Sequence, residues 1–151
     1  MRVGITLVAV FMLMMFSLSA FSSVTILIAQ DEFTKAFKEE TEVYGIEEAD
    51  IEKLLPYVAG IGFVFSLVYL FTGIGLIVRN ETFRKTGIGI GILHGIYGLL
   101  TISMFAISAL NLATAFLLIF YLTRKDVRDE FVKTVSIEEK VLGKDWEGKV
   151  N

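Results

Sequence analysis

The chain carries one histidine, His94, set in the run TGIGIGILHGIYG (Thr86–Gly98). An imidazole can move a proton, hold a metal or bridge two polar groups. Placed on a helix at about 100° per residue, His94 falls on one stripe with Gly87, Gly91, Gly95, Gly98 and Thr101, while Gly89 lies on the far side. The apolar stretch before it has a similar stripe of Gly62, Ser66, Tyr69 and Gly73. His94, Tyr69 and Thr101, with Ser66, therefore form a candidate polar site. A proton relay there needs a second station, and no apolar stretch contains a carboxylate. A metal site needs further ligands that these stretches do not supply. Serine nucleophiles need a base oriented by an acid, and His94 has no such acid nearby in sequence. No catalytic residue, metal or cofactor is expected. The simpler reading is a neutral imidazole bonded to Ser66, Tyr69 or a backbone carbonyl across a groove.

The glycines themselves admit three readings. A dinucleotide fingerprint needs G-x-G-x-x-G between a strand and a helix, but Gly87, Gly89 and Gly91 run G-x-G-x-G. The alternation with isoleucine resembles a strand, yet a lone strand in lipid leaves its backbone groups unpaired. A helix remains. Its G-x-x-x-G-x-x-x-G face lets another backbone come close, which is how helices associate in lipid. Gly62, Ser66, Gly73, Gly87, Gly91, Gly95 and Gly98 are expected to pack helices, within one chain or between copies.

The elements that must position these residues follow from composition. The chain has 151 residues, enough for one domain, and is 54% hydrophobic, with its 21% of charged residues bunched into a few segments. A membrane helix needs about 20 apolar residues, and the chain has several such runs. The net charge of −3 implies no nucleic-acid partner. Cysteine is absent, which excludes disulfides and thiol chemistry. The lack of cysteine and the single Gln, Gln30, lean toward a thermophile-like composition.

Four spans are expected, at about 3–29, 56–78, 86–106 and 108–123. The first run, Val3–Ala29, contains small residues in SLSAFSS (Ser17–Ser23) that a signal peptidase could cut. It is about twice the length of a signal-peptide core, so a retained helix is preferred. The stretch Thr86–Thr123 has 38 residues without an acid, lysine or arginine. As one helix it would measure about 57 Å, so it must fold back, with its turn expected near Ser108–Asn111. Between the first two spans, 31–53 is acidic and reads as a helical cap: Phe33 and Phe37 share one face, Gly45 ends the first helix, and Pro56 interrupts or kinks the second. Its carboxylates lack the calcium-loop pattern and read as a solvated surface.

Lysine and arginine set the orientation. Arg2, Arg79, Arg84, Lys85, Arg124, Lys125 and Arg128 share one side if there are four spans, which predicts a cell-membrane protein with both termini cytoplasmic. The domain is expected over 1–135, with 136–151 as a cytoplasmic tail. Val127, Phe131 and Val135 recur at i and i+4 on a face suited to the membrane surface or a partner. Ser136 with Glu139 reads as a capping box, and Trp146 as an interface anchor or a tail residue.

The end of the last span, LLIFYLTRKDVRDEF (Leu117–Phe131), resembles the corresponding segment of small uncharacterised four-span prokaryotic membrane proteins. There the last span leaves the membrane through a Tyr-Leu and a basic pair into a short helix. The resemblance covers about a tenth of the chain and implies no activity. The fold expected is all-α: a polytopic four-helix membrane domain, an extracytoplasmic helical cap and a cytoplasmic C-terminal helix. The function expected is that of a non-enzymatic membrane component, self-associating or accessory to a membrane complex through its glycine faces. Its partners would be the lipid bilayer and a second copy or another membrane protein. The alternative is a small transporter or channel subunit with a polar path around His94.

Overall fold

A computed structural model describes residues 2–41, 48–103 and 105–132. It is all-helical over them: α1 (Arg2–Ile28), α2 (Gln30–Thr41), α3 (Glu48–Ile77), α4 (Glu81–Leu100) and α5 (Phe105–Thr123), followed by α6, described over 125–132. Among the described residues, three segments are long and apolar enough to cross a membrane: Val3–Ile28, Asp50–Ile77 and Phe105–Thr123. Their outward side chains are apolar and exposed, among them Phe21, Val64, Phe71, Phe105 and Phe116. Water would penalise that surface, whereas lipid solvates it. The chain is an integral membrane protein by this measure. α4 is less apolar, because its first turns carry Glu81, Arg84 and Lys85 and its glycines add little hydrocarbon.

Two boundaries differ from the sequence expectation. Pro56 does not break the chain into two helices; α3 runs through it. The reversal before α5 lies at 101–103, ahead of Ser108–Asn111, which sit inside α5. Gly45, Val135, the Ser136/Glu139 pair and Trp146 lie outside the described residues.

The chain divides into two compact units, one of Phe11–Leu70 and one of Met1–Val10 with Phe71–Asn151. In the first, α1 lies on α3 through small residues. The Ser19 hydroxyl donates to the Gly62 carbonyl at 3.0 Å. A Cβ on Gly62 would come within 2.6 Å of the Ser23 Oγ. The serines that could be read as a cleavage site thus form a small-xxx-small contact. Ile51, Leu55 and Ala59 make a buried stripe four residues apart along α3. At the polar end, the Gln30 side-chain amide donates to the Glu52 carbonyl at 3.0 Å. Pro56 is four residues on and has no N–H to offer that oxygen.

In the second unit, α3 ends in a left-handed residue, Arg79, at φ 58°. The Asn80 N–H reaches the Gly75 carbonyl at 2.9 Å and the Arg79 N–H the Leu76 carbonyl at 3.2 Å. That is the paired closure usually made around glycine. Arginine holds the position here, and its guanidinium pairs with Glu130 of α6 at 2.5 Å. Asn80 then caps α4, its side chain accepting from the Thr82 N–H at 2.9 Å. The Phe83 ring occupies the place where a Cβ on Gly75 would stand, and Tyr121 does the same at Gly4.

The polar seam between α4 and α5

The glycine face of α4 is where α5 lies. A Cβ on Gly91 would meet Ile119 Cγ1 at 2.9 Å and Leu118 Cβ at 3.0 Å. One on Gly98 would meet Leu112 Cγ at 2.9 Å and the Leu112 backbone nitrogen at 3.2 Å. Gly95 is looser, since a Cβ there would lie 3.5 Å from Ala115 Cβ. The helices run antiparallel, so successive glycines along α4 meet successively earlier residues of α5. Dispersion between close backbones is the main attraction available to such a pair in lipid.

Polar groups line the same seam. His94 Nδ1 lies 2.6 Å from Asn111 Oδ1. The Asn111 NH2 donates to the Ile107 carbonyl one turn back, at 2.8 Å. That bond assigns the amide orientation, so Asn111 presents its oxygen to the ring, and Nδ1 carries the hydrogen. An amide neither takes nor gives a proton near neutral pH, so this bond serves to join α4 to α5. One turn on, the Ser108 hydroxyl donates to the Gly98 carbonyl at 2.7 Å, and Ser108 is buried. The Gly98 backbone is reachable because it has no side chain to shield it.

The seam closes at its charged end. Arg84 is only 5% exposed. Its Nε and Nη2 each donate to the Glu81 carboxylate at 2.6 Å, and its Nη1 donates to the Leu122 carbonyl at 2.6 Å. Leu122 stands in the last turn of α5, where carbonyls lack helical partners. The guanidinium thus caps α5 with favourable sign for the helix dipole, and Glu81 sits favourably at the start of α4. The Arg84 hydrogen bond holds the Glu81 carboxyl below the usual carboxylate range, and the charges of Arg84, Lys85 and Arg128 add to it.

The other residues singled out by the sequence lie as follows. Ser66 is fully buried and donates to the Phe63 carbonyl of its own helix at 2.6 Å. Tyr69 is half-buried in the first unit, and Gly73 and Gly87 are buried in the second. Thr101 ends α4, its hydroxyl bonded to the Tyr97 carbonyl at 2.9 Å. Val127 and Phe131 are fully buried. The face expected to meet lipid headgroups or a partner is instead part of the protein's interior, because α6 turns back onto the chain and pairs Glu130 with Arg79. Sequence reasoning missed Asn111, Ser108 and Arg84 as seam residues. A signal was present: Ser108 and Asn111 are polar positions in the first turns of a mostly apolar helix, three apart on one face, and the loop reading absorbed them.

Comparison of the chain with protein-family models, curated proteins and solved structures gives no match.

Proposed function

We propose that the chain is a non-enzymatic integral membrane protein that self-associates or serves as an accessory subunit of a membrane complex. The carrying observation is the use of polar groups in the α4–α5 seam: His94 with Asn111, Ser108 with Gly98, and Arg84 with Glu81 and Leu122 each fasten one helix to the next. Such an arrangement builds a fixed body instead of a reaction centre or a hydrated path. In this reading α4 completes a fourth span. The basic turns at 79–85 and 124–128 then stand on the cytoplasmic side with both termini, and the acidic α2 outside.

Because α5 covers the face of Gly91, Gly95 and Gly98, assembly falls to outward faces. Gly60 and Gly89 have nothing within 4 Å of an added Cβ. Gly60 lies in an apolar groove of about 350 Å³ lined by Pro56, Tyr57, Ile61, Val64 and Phe65. Cross-linking in native membranes tests the proposal. Gly60→Leu and Gly89→Leu should reduce cross-linked species while the folded monomer persists in detergent. Wild-type protein that neither self-associates nor co-purifies with a membrane protein overturns it. Solute or ion flux in liposomes that is lost in His94→Ala would replace it with the transporter or channel reading.

A further inference from the structure

The charged end of the α4–α5 hairpin holds more cations than its carboxylates satisfy. Residues 79–85 and 124–132 contain Arg79, Arg84, Lys85, Arg124, Lys125 and Arg128 against Glu81, Asp126, Asp129 and Glu130. Three close pairs account for part of them. Arg79 holds Glu130 at 2.5 Å, Arg84 holds Glu81 through two bonds, and Arg124 holds Asp126 at 3.0 and 3.1 Å. What remains is loosely held. Lys85 is 4.0 Å from a Glu81 oxygen already bonded to Arg84, and its side chain is 71% exposed. Arg128 is 3.9 Å from Asp129 and 55% exposed. Lys125 is exposed and forms no ion pair with the described residues.

These three cations belong together. Lys85 follows Arg84 directly and lies 4.0 Å from Glu81, while Lys125 and Arg128 stand three apart on one side of α6, which begins just after Leu122. The Arg84–Leu122 bond brings the start of α4 to the end of α5. The cluster therefore lies where the apolar runs stop, between Lys85 and Thr86 on one helix and Thr123 and Arg124 on the other. That level in a bilayer is occupied by phospholipid headgroups. Buried Val127 and Phe131 fix α6 against the chain, so its cations are held in place and not on a free tail.

We propose that Lys85, Lys125 and Arg128 form a binding surface for the phosphate of an anionic phospholipid headgroup at the end of the α4–α5 hairpin. The proposal rests on the chain being a membrane protein and not on its having a protein partner. Attraction of this kind weakens about fivefold for each Lys or Arg removed and is screened by salt.

The test uses the full chain in nanodiscs of phosphatidylglycerol mixed with phosphatidylcholine, with lipid retained on extraction measured by native mass spectrometry. Wild type should retain phosphatidylglycerol over phosphatidylcholine. The variant Lys85→Gln/Lys125→Gln/Arg128→Gln should lose most of that preference, and single variants should each lose about fivefold. Thermal unfolding in phosphatidylcholine alone should match wild type, which separates lipid binding from folding. Lys35→Gln/Lys53→Gln, at the acidic end, should change nothing. Equal retention of the two lipids by wild type overturns the proposal. So does a triple variant that keeps the preference, a Lys35/Lys53 variant that loses it equally, or competition by millimolar inorganic phosphate as effective as by lipid. Wild-type protein that retains the lipid but neither cross-links to itself nor co-purifies with a membrane protein would instead count against the subunit reading alone.

Discussion

Gln30 donates its side-chain amide to the Glu52 carbonyl at 3.0 Å, the oxygen that Pro56 leaves without its helical N–H. The only glutamine of the chain answers the only proline. A proline inside a helix frees a carbonyl and strains the turn before it; here a side-chain amide from α2 takes the place of the missing N–H. α3 can therefore continue through Pro56 as a single helix.

Replacing Gln30 with Ala should destabilise the protein by about 0.5–1.5 kcal/mol, the net worth of one hydrogen bond. Pro56→Ala restores an N–H to Glu52. In that background the Gln30→Ala cost should shrink toward zero. Reversible unfolding in mixed detergent micelles reads the cycle, and additive costs would mean that the two residues act independently.

The α4 glycines should differ in rank. Gly91→Ala and Gly98→Ala place a methyl within 3.0 Å of α5 atoms and should cost about 1–3 kcal/mol, the range for overpacking. Gly95→Ala meets only Ala115 at ordinary contact distance and should be near neutral. Gly89→Ala, facing open space, should be neutral or stabilising through helix propensity. Melting temperatures of the four variants in one detergent give the order directly.

Removing either partner of the His94–Asn111 bond should loosen the hairpin. Asn111→Leu and His94→Leu should each cost about 0.6–2 kcal/mol, as interhelical hydrogen bonds in membranes do. The double variant should cost less than the sum, since neither partner is then left alone. Disulfide-trapping rates between engineered cysteines at the 101–103 turn and in α5 would report the loosening separately from global stability.

Glu81 makes hairpin stability depend on acid. Its carboxyl titrates below the ordinary value of 4.5 in the folded protein because Arg84 holds the charged form. The stabilisation is thus complete above the unfolded value and is lost as pH falls through the lowered folded one. Melting temperature should drop between about pH 5 and 3. Glu81→Gln should be less stable at neutral pH and flatter across that window. A wild-type curve no steeper than the variant's would remove Glu81 as the source.

Much of this architecture was legible in the residues. Long apolar runs in Val3–Ile28 and Asp50–Ile77 mark helices because lipid allows little else. The period of Gly91, Gly95 and Gly98 marks a face that another backbone can approach. Both inferences depend on local composition and on helical geometry, which neighbours do not alter. The partner of that face was not legible, because a bare glycine surface accepts any small-residue helix, and the sequence has several. Nor were the ends of elements secure: Pro56 reads as a break or a kink until Gln30 is found beside Glu52, and Ser108 and Asn111 read as a turn until Gly98 and His94 are found across from them.

Tertiary structure decided these cases for one physical reason. A polar group in an apolar run has no meaning by itself; its cost is set by whether a donor or acceptor from elsewhere in the chain reaches it. The sequence alone determined that the chain is helical and built for lipid, since that follows from side-chain transfer energies summed along each run. Only the packed molecule decided that α5, and not a second copy, occupies the glycine face, and that Arg84 and Phe131 belong inside.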